Sequence, residues 1–320
     1  MSKPRGGNGN NKEESVLEQL LKAYPKRFSK AGIPMYKQFD QKIKALVNDG
    51  GELVQLHLWE EAGPNGTKLM FESLKQVNLN TIRSIRLWKV KACDEGIRAL
   101  CEYLSSCNLN VEIMDLLDNS ISPLGCQFLG SMYLSNWNTL KINRLSLDHN
   151  AIGDEGLKQL ANGLRKSVSL AHLSLSYCNL SSNASQSIQQ LLAFVDTNLE
   201  SLNLQGNMLK EEGARQVLRA VEVNSKLKVL NLTDNQISDE KMLIDQLIKT
   251  IEKNSAMYLL TLTHNGFTQE TAKQLLDAVK VSMRPKIELT ERFDAEFAAE
   301  YNSVMMKIKM PKESKKPSNK

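Results

Sequence analysis

The chain has 320 residues, 41% of them hydrophobic and 24% charged, which is enough apolar content for a sizeable buried core. No run approaches the roughly 18 apolar residues of a membrane-spanning helix, and the first fifteen residues, MSKPRGGNGNNKEES, hold no apolar core of a secretion signal. The formal charge of +5 sits in the ends, with +4 over residues 1–30 and +5 over 307–320 against −4 for the body, so the basic balance does not describe a nucleic-acid-binding surface.

In chain order, residues 1–14 have no apolar period and are expected to be disordered. Residues 15–50 read as a helical N-terminal cap, with Val16, Leu20 and Ala23 in one stripe and Phe39, Ile43 and Leu46-Val47 in another. Pro25 and Gly32-Ile-Pro34 are expected to break this region, and Asn48-Asp-Gly-Gly to end it. From residue 51 to 290 one motif recurs. Leu145-Ser-Leu-Asp-His-Asn150-Ala-Ile152 returns as Leu202-Asn-Leu-Gln-Gly-Asn207-Met-Leu209 and as Leu230-Asn-Leu-Thr-Asp-Asn235-Gln-Ile237. Each fits LxxLxLxxNxL, and the eight anchors Leu53, Ile82, Val111, Ile142, Leu170, Leu199, Leu227 and Met257 stand 28 to 31 residues apart. Lys286-Ile-Glu-Leu289 reads as a last, truncated strand. Residues 291–306 read as a C-terminal capping helix with Phe293, Phe297, Ala298 and Tyr301 on one face. The lysine-rich residues 307–320 are expected to be a disordered basic tail.

The physics of the unit explains its consensus. Leu-x-Leu makes a short strand with two side chains inward and the intervening one outward. Asn119, Asn150, Asn207, Asn235 and Asn265 stand where the chain leaves the strand, and their amides can satisfy backbone groups that would otherwise be buried unpaired. Cys178 takes that place in the fifth unit, and Glu61 and Val90 in the first two, where the turn is expected to be built differently. The second half of each unit has helical period: Ile97, Leu100, Cys101 and Leu104, or Leu157, Leu160, Ala161 and Leu164. Asp94-Glu-Gly, Asp154-Glu-Gly and Glu211-Glu-Gly put acids in the first turns, where they are expected to cap these helices rather than to do acid–base chemistry. The five cysteines are odd in number and include no CxxC pair, which points to a reducing compartment and away from a disulfide framework or zinc site.

A unit of 28 or 29 residues with a full helix resembles the ribonuclease-inhibitor type of leucine-rich repeat family, over residues 51–290. The resemblance implies an α/β leucine-rich repeat solenoid, or horseshoe. A parallel sheet would line the concave face, helices would pack outside, and helical caps would close both ends. By general architecture the chain resembles intracellular leucine-rich repeat proteins that serve as structural subunits, some in ciliary axonemes. That implies a cytoplasmic protein-binding scaffold of a cytoskeletal or ciliary assembly. The GTPase-activating protein for Ran shares the fold and supplies the alternative, a regulator of a small GTPase. That family carries a long acidic C-terminal segment, whereas this chain ends in lysines.

Equivalent outward residues of adjacent strands form ladders. The position after the second Leu reads Trp59, Trp88, Leu117, Asp148, Ser176, Gln205, Thr233 and Thr263. Two tryptophans in register, continued by Leu117, with Arg86 before Trp88 and with Lys89, His149 and Tyr177 beside the ladder, are the expected partner-binding residues. The competing reading buries Trp59 and Trp88 as core beneath the N-terminal helices. The four histidines lie at different strand positions with no ligand partner at metal spacing, and no P-loop, GxGxxG or GxSxG occurs. No catalytic residue, metal, cofactor or small-molecule substrate is therefore expected; the expected partner is a protein, with no membrane and no nucleic acid.

Overall fold

A computed structural model describes residues 14–107, 109–193, 197–289 and 293–309. Of the disorder expected over residues 1–14 and 307–320, residues 1–13 and 310–320 lie outside the described residues, whereas Lys307 is the last residue of the C-terminal helix and Ile308 is buried against the core, because the apolar face of that helix continues through it. Two helices, α1 (Val16–Ala31) and α2 (Lys37–Asp49), precede the repeats. A capping box starts α1: the Ser15 hydroxyl accepts from the Glu18 N–H, and the Glu18 carboxylate accepts from the Ser15 N–H at 2.7 Å. Pro25 does not break the region as expected but lies inside α1. The interior proline costs about 3 kcal/mol, and burial of Leu17, Leu20, Tyr24 and Phe28 on one face outweighs it. The buried stripe of α1 is thus shifted from the one expected, and Val16 is exposed. Tyr24 contacts Phe28 and Phe39 with ring centroids 4.4 and 5.3 Å apart, and its hydroxyl accepts from the Tyr36 N–H. Gly32 and Gly50, at φ 67° and 65°, end the two helices in the left-handed conformation that glycine adopts without steric cost.

Nine parallel strands follow in one sheet, in chain order: β1 (Gln55–Leu58), β2 (Ser84–Leu87), β3 (Ile113–Asp115), β4 (Arg144–Ser146), β5 (His172–Ser174), β6 (Ser201–Asn203), β7 (Val229–Asn231), β8 (Leu259–Thr261) and β9 (Lys286–Glu288). Helices α3 (Gly63–Gln76), α4 (Cys93–Ser106), α5 (Pro123–Ser135), α6 (Gly153–Leu164), α7 (Ser185–Ala193), α8 (Lys210–Val223), α9 (Lys241–Lys253) and α10 (Gln269–Ser282) connect them, a 3₁₀ turn at Ser182–Ala184 leads into α7, and α11 (Ala295–Lys307) closes the described chain. The arrangement is a leucine-rich repeat solenoid with a parallel concave sheet and convex helices. Consensus leucines pair across strands, Leu56 with Ile85, Ile85 with Met114, Met114 with Leu145, so every unit puts the same two side chains into one continuous core. All eight anchor residues are buried. On α11, Phe297 and Tyr301 are buried, and the Tyr301 hydroxyl donates to the Ile287 carbonyl of β9 at 2.8 Å.

The consensus asparagines bind backbone, as their place in the motif predicts. The Asn150 side chain donates to the carbonyls of Leu116 and Leu147 at 2.9 and 2.8 Å and accepts from the N–H groups of Asn119 and Ile121 at 2.9 and 3.0 Å. Asn207 repeats the set with Leu175, Leu204, Cys178 and Leu180. Each amide therefore ties its own turn to the preceding unit. Cys178 does half the task, its Sγ donating to Leu147 and Ser176 carbonyls at 3.3 and 3.4 Å. In the second unit Val90 is buried, and its carbonyl accepts from the Ala62 and Gly63 N–H groups.

The first-turn acids act differently from expectation. No side chain caps α4, α6 or α8 from its own N-cap position. Asp94 instead reaches the next unit and accepts from the N–H of Ser122 and Gly125 at 2.9 and 3.0 Å and from the Ser122 hydroxyl at 2.5 Å. Asp154 binds Ser181 in the same way, and Glu211 binds Ser238. These carboxylates latch neighbouring repeats.

Two helices approach exceptionally closely. A methyl group at Gly163 of α6 would fall on the backbone carbonyl of Gly130 in α5, and one at Gly130 would meet the Gln159 carbonyl. On the convex side, Glu222 of α8 accepts from the Gln246 amide at 2.9 Å and pairs with Lys249 and Lys253 of α9. The Gln246 hydrogen bond foremost, then the two ammonium groups, hold its carboxyl down to about 2 against partial desolvation. A carboxylate held below the ordinary value of about 4.3 stabilises the fold above that pH and loses its contribution as pH falls toward the folded value. Glu222→Gln is expected to flatten the loss of stability between roughly pH 4.5 and 2, measured by urea unfolding at a series of pH values. An unchanged acid limb would show that the network contributes nothing.

Candidate partner-binding surface

The N-terminal helices do not fold over the tryptophans: Trp59 is 57% and Trp88 39% exposed. They stand on adjacent units, joined where the Trp88 N–H donates to the Leu58 carbonyl at 2.9 Å. The indole N–H of Trp88 donates to Asp115 Oδ2 at 2.7 Å, which fixes the ring from the neighbouring strand. Leu117 is half-buried, and its carbonyl accepts from the Lys89 N–H at 2.9 Å. Arg86 lies on the same face of β2, in register between His57 of β1 and Asp115 of β3. The structure thus brings Trp59, Arg86, Trp88 and Leu117 to one end of the concave face.

Lys89, His149 and Tyr177 belong to the rim. Each is the left-handed residue of its turn, at φ 57°, 58° and 54°. The Lys89 ammonium lies 4.0 Å from the Asp118 carboxylate. His149 and Tyr177 stack on each other, with ring centroids 4.6 Å apart and planes 15° from parallel. Tyr177 also covers Gly206, where a Cβ would clash with its ring, so a glycine is required at that turn. These two rings form a separate stacked pair further along the rim, not an extension of the tryptophan pair.

Beyond the third unit the concave polar residues satisfy one another. Asp148 accepts from the Ser174 hydroxyl at 2.6 Å and the Ser176 N–H at 2.8 Å, and the Asn203 amide donates to Ser174 Oγ at 3.0 Å. Thr233 and Thr263 share a hydrogen bond at 2.9 Å, and Thr261 donates to Glu288 at 3.2 Å. The N-terminal end differs. Lys42 of α2 donates to the Gln55 carbonyl at 2.6 Å and stands near His57. Burial first, then the charges of Arg86 and Lys42, push the His57 pKa down against the opposing pull of Asp115. Sequence periodicity missed Lys42, because it lies outside the repeat. It also passed over Trp137, 47% exposed in the turn after α5 and away from the strand ladders. Among the described residues no cluster of three His, Cys, Asp or Glu could hold a metal ion. No described helix is long and apolar enough to cross a membrane.

The sheet, the asparagine ladder and the repeat length define a leucine-rich repeat protein. The Leucine Rich repeat family model matches residues 140–161 and 223–240. The chain is 29% identical over 180 residues to NACHT, LRR and PYD domains-containing protein 13 of Homo sapiens, a match covering 56% of this chain and 17% of that protein. It is 27% identical over 179 residues to ribonuclease inhibitor of Sus scrofa, covering 55% of this chain and 38% of that one. The chain therefore spans well under half the length of these relatives. The solved tropomodulin C-terminal domain of Caenorhabditis elegans superposes with a TM-score of 0.41 at 16% identity, covering 49% of this chain and 93% of that chain. In repeat length, motif and these matches the chain is similar to the ribonuclease-inhibitor type of leucine-rich repeat family.

Proposed function

We propose that the chain is a non-catalytic scaffold subunit that docks a partner protein through the N-terminal end of its concave face. The observation that carries this reading is the contrast along the ladder. Two large aromatic side chains stand exposed on adjacent strands at one end, while the polar residues beyond them are bonded to each other. Aromatic anchors on a rigid surface lose little side-chain entropy on contact and bury much apolar area, which is why such residues dominate binding energy. The surrounding sheet fixes their spacing before any partner arrives.

The test is affinity purification of the tagged full-length protein beside a Trp59→Ala, Trp88→Ala variant. The variant is expected to lose a defined set of co-purifying proteins while its thermal unfolding midpoint stays unchanged, since neither ring is part of the core. Retention of the same set would refute the role of this face. Assignment of the assembly to the cytoskeleton or a cilium rests on likeness of architecture alone. Tubulin-associated or axonemal proteins among those lost by the variant would support it; a small GTPase in their place would overturn it.

A further inference from the structure

We propose that the docking face receives an acidic, extended segment of its partner, with Lys42, His57 and Arg86 meeting a carboxylate and the two tryptophans gripping an apolar side chain two residues away. This rests on the reading of the face as a docking surface and adds the chemistry of what docks. Three elements build the cluster: α2 contributes Lys42, β1 His57 and β2 Arg86. His57 is opposite Arg86 in the sheet register, and Lys42 is held over the carbonyl of Gln55, two residues before His57.

Arg86 is half-buried, and among the described residues it has no carboxylate within ion-pair distance. Other cations of the N-terminal helices and first units are matched: Arg27 with Glu72, Lys44 with Asp40 and Lys91 with Glu61. The acid in register with Arg86 is Asp115, which spends one oxygen on the Trp88 indole. A guanidinium partly withdrawn from water and left without a counter-charge favours an incoming carboxylate, which it can bind in bidentate fashion. Burial first, then the charges of Arg86 and Lys42, lower the affinity of His57 for protons, and burial lowers that of Lys42, so all three groups stand partly withdrawn from water. Trp59 follows His57 by two residues, as Trp88 follows Arg86. On a strand that offset is roughly 6.6 Å, the distance between alternate side chains of an extended peptide. The surface thus matches a segment with an acid at one position and a large apolar residue two further on.

The test uses the full-length protein carrying Trp137→Phe, so that indole fluorescence reports only Trp59 and Trp88. It is titrated with a blocked peptide of four Glu-Ser-Leu triplets, with the corresponding Lys-Ser-Leu peptide, and with a single-stranded thymidine oligonucleotide of equal length. The Glu peptide is expected to bind roughly tenfold more tightly than the Lys peptide, and Arg86→Glu to reverse that preference. Binding should also raise the His57 titration midpoint, followed by its imidazole proton resonances. Equal affinity for both peptides, no measurable binding of the Glu peptide, or a preference unaffected by Arg86→Glu overturns the proposal, as does tighter binding of the oligonucleotide. If Arg86→Glu fails to fold, Arg86→Gln makes the same comparison, with the preference expected to shrink rather than reverse. Loss of binding in Trp59→Ala, Trp88→Ala, read by titration calorimetry because that variant lacks the reporting indoles, without any dependence on charge would leave the docking face standing and remove the acidic partner. Charge dependence with indifferent tryptophans would instead remove the docking reading.

Discussion

Gly163→Ala is expected to destabilise the protein by about 3 kcal/mol, although alanine is the better helix former by about 1 kcal/mol. The new methyl would occupy the position of the Gly130 carbonyl in the adjacent helix. Backbone cannot rotate out of the way as a side chain can, so α5 and α6 must separate, and every contact between them loosens. Gly130→Ala should cost a similar amount, because its methyl meets the Gln159 carbonyl. The contrasting substitution is Gly66→Ala, which meets the hydroxyl end of the Tyr36 side chain, and that ring can shift. Urea unfolding of the three variants decides the matter. A gain in stability for Gly163→Ala would mean that the helices do not touch.

Asn150→Ala is expected to cost about 4 kcal/mol. It strands four buried backbone groups, the Asn119 and Ile121 N–H groups and the Leu116 and Leu147 carbonyls, each worth about 1–3 kcal/mol when left unpaired, with incomplete additivity. Asn150→Cys is the informative comparison, because the fifth unit already places Cys178 there. A thiol keeps a weak donor and gives up a strong acceptor, so the loss should fall to roughly half that of alanine. Equal losses for alanine and cysteine would show that the acceptor half alone matters.

The strands and helices were legible because the solenoid repeats one solution to one packing problem. Leu145, Leu202 and Leu230 carry the same neighbours at the same offsets, and Asn150 has its role wherever the motif recurs. What does not repeat was harder to read. Pro25 lies inside a helix because the aromatic cluster around Tyr24 and Phe28 overrides local preference, and that cluster forms only when α2 packs Phe39 against α1, which the period of α1 alone does not show. Asp94 and Asp154 were legible as first-turn acids, but not as latches, since the donors they accept from lie 28 and 27 residues away in Ser122 and Ser181. Trp59 and Trp88 were legible as a stacked register; their exposure depends on where α1 and α2 dock, which periodicity does not encode. Lys42 reaches the face only through that docking.

Curvature in such a molecule is the mismatch between two spacings. Strands on the inner arc repeat about every 4.8 Å, whereas helices on the outer arc ordinarily stand about 8–10 Å apart, and the wedge between them bends the chain into an arc. Where Gly130 and Gly163 bring two helix backbones into contact, the outer spacing contracts and the wedge narrows. The arc is therefore straighter between the third and fourth units than a uniform radius would make it.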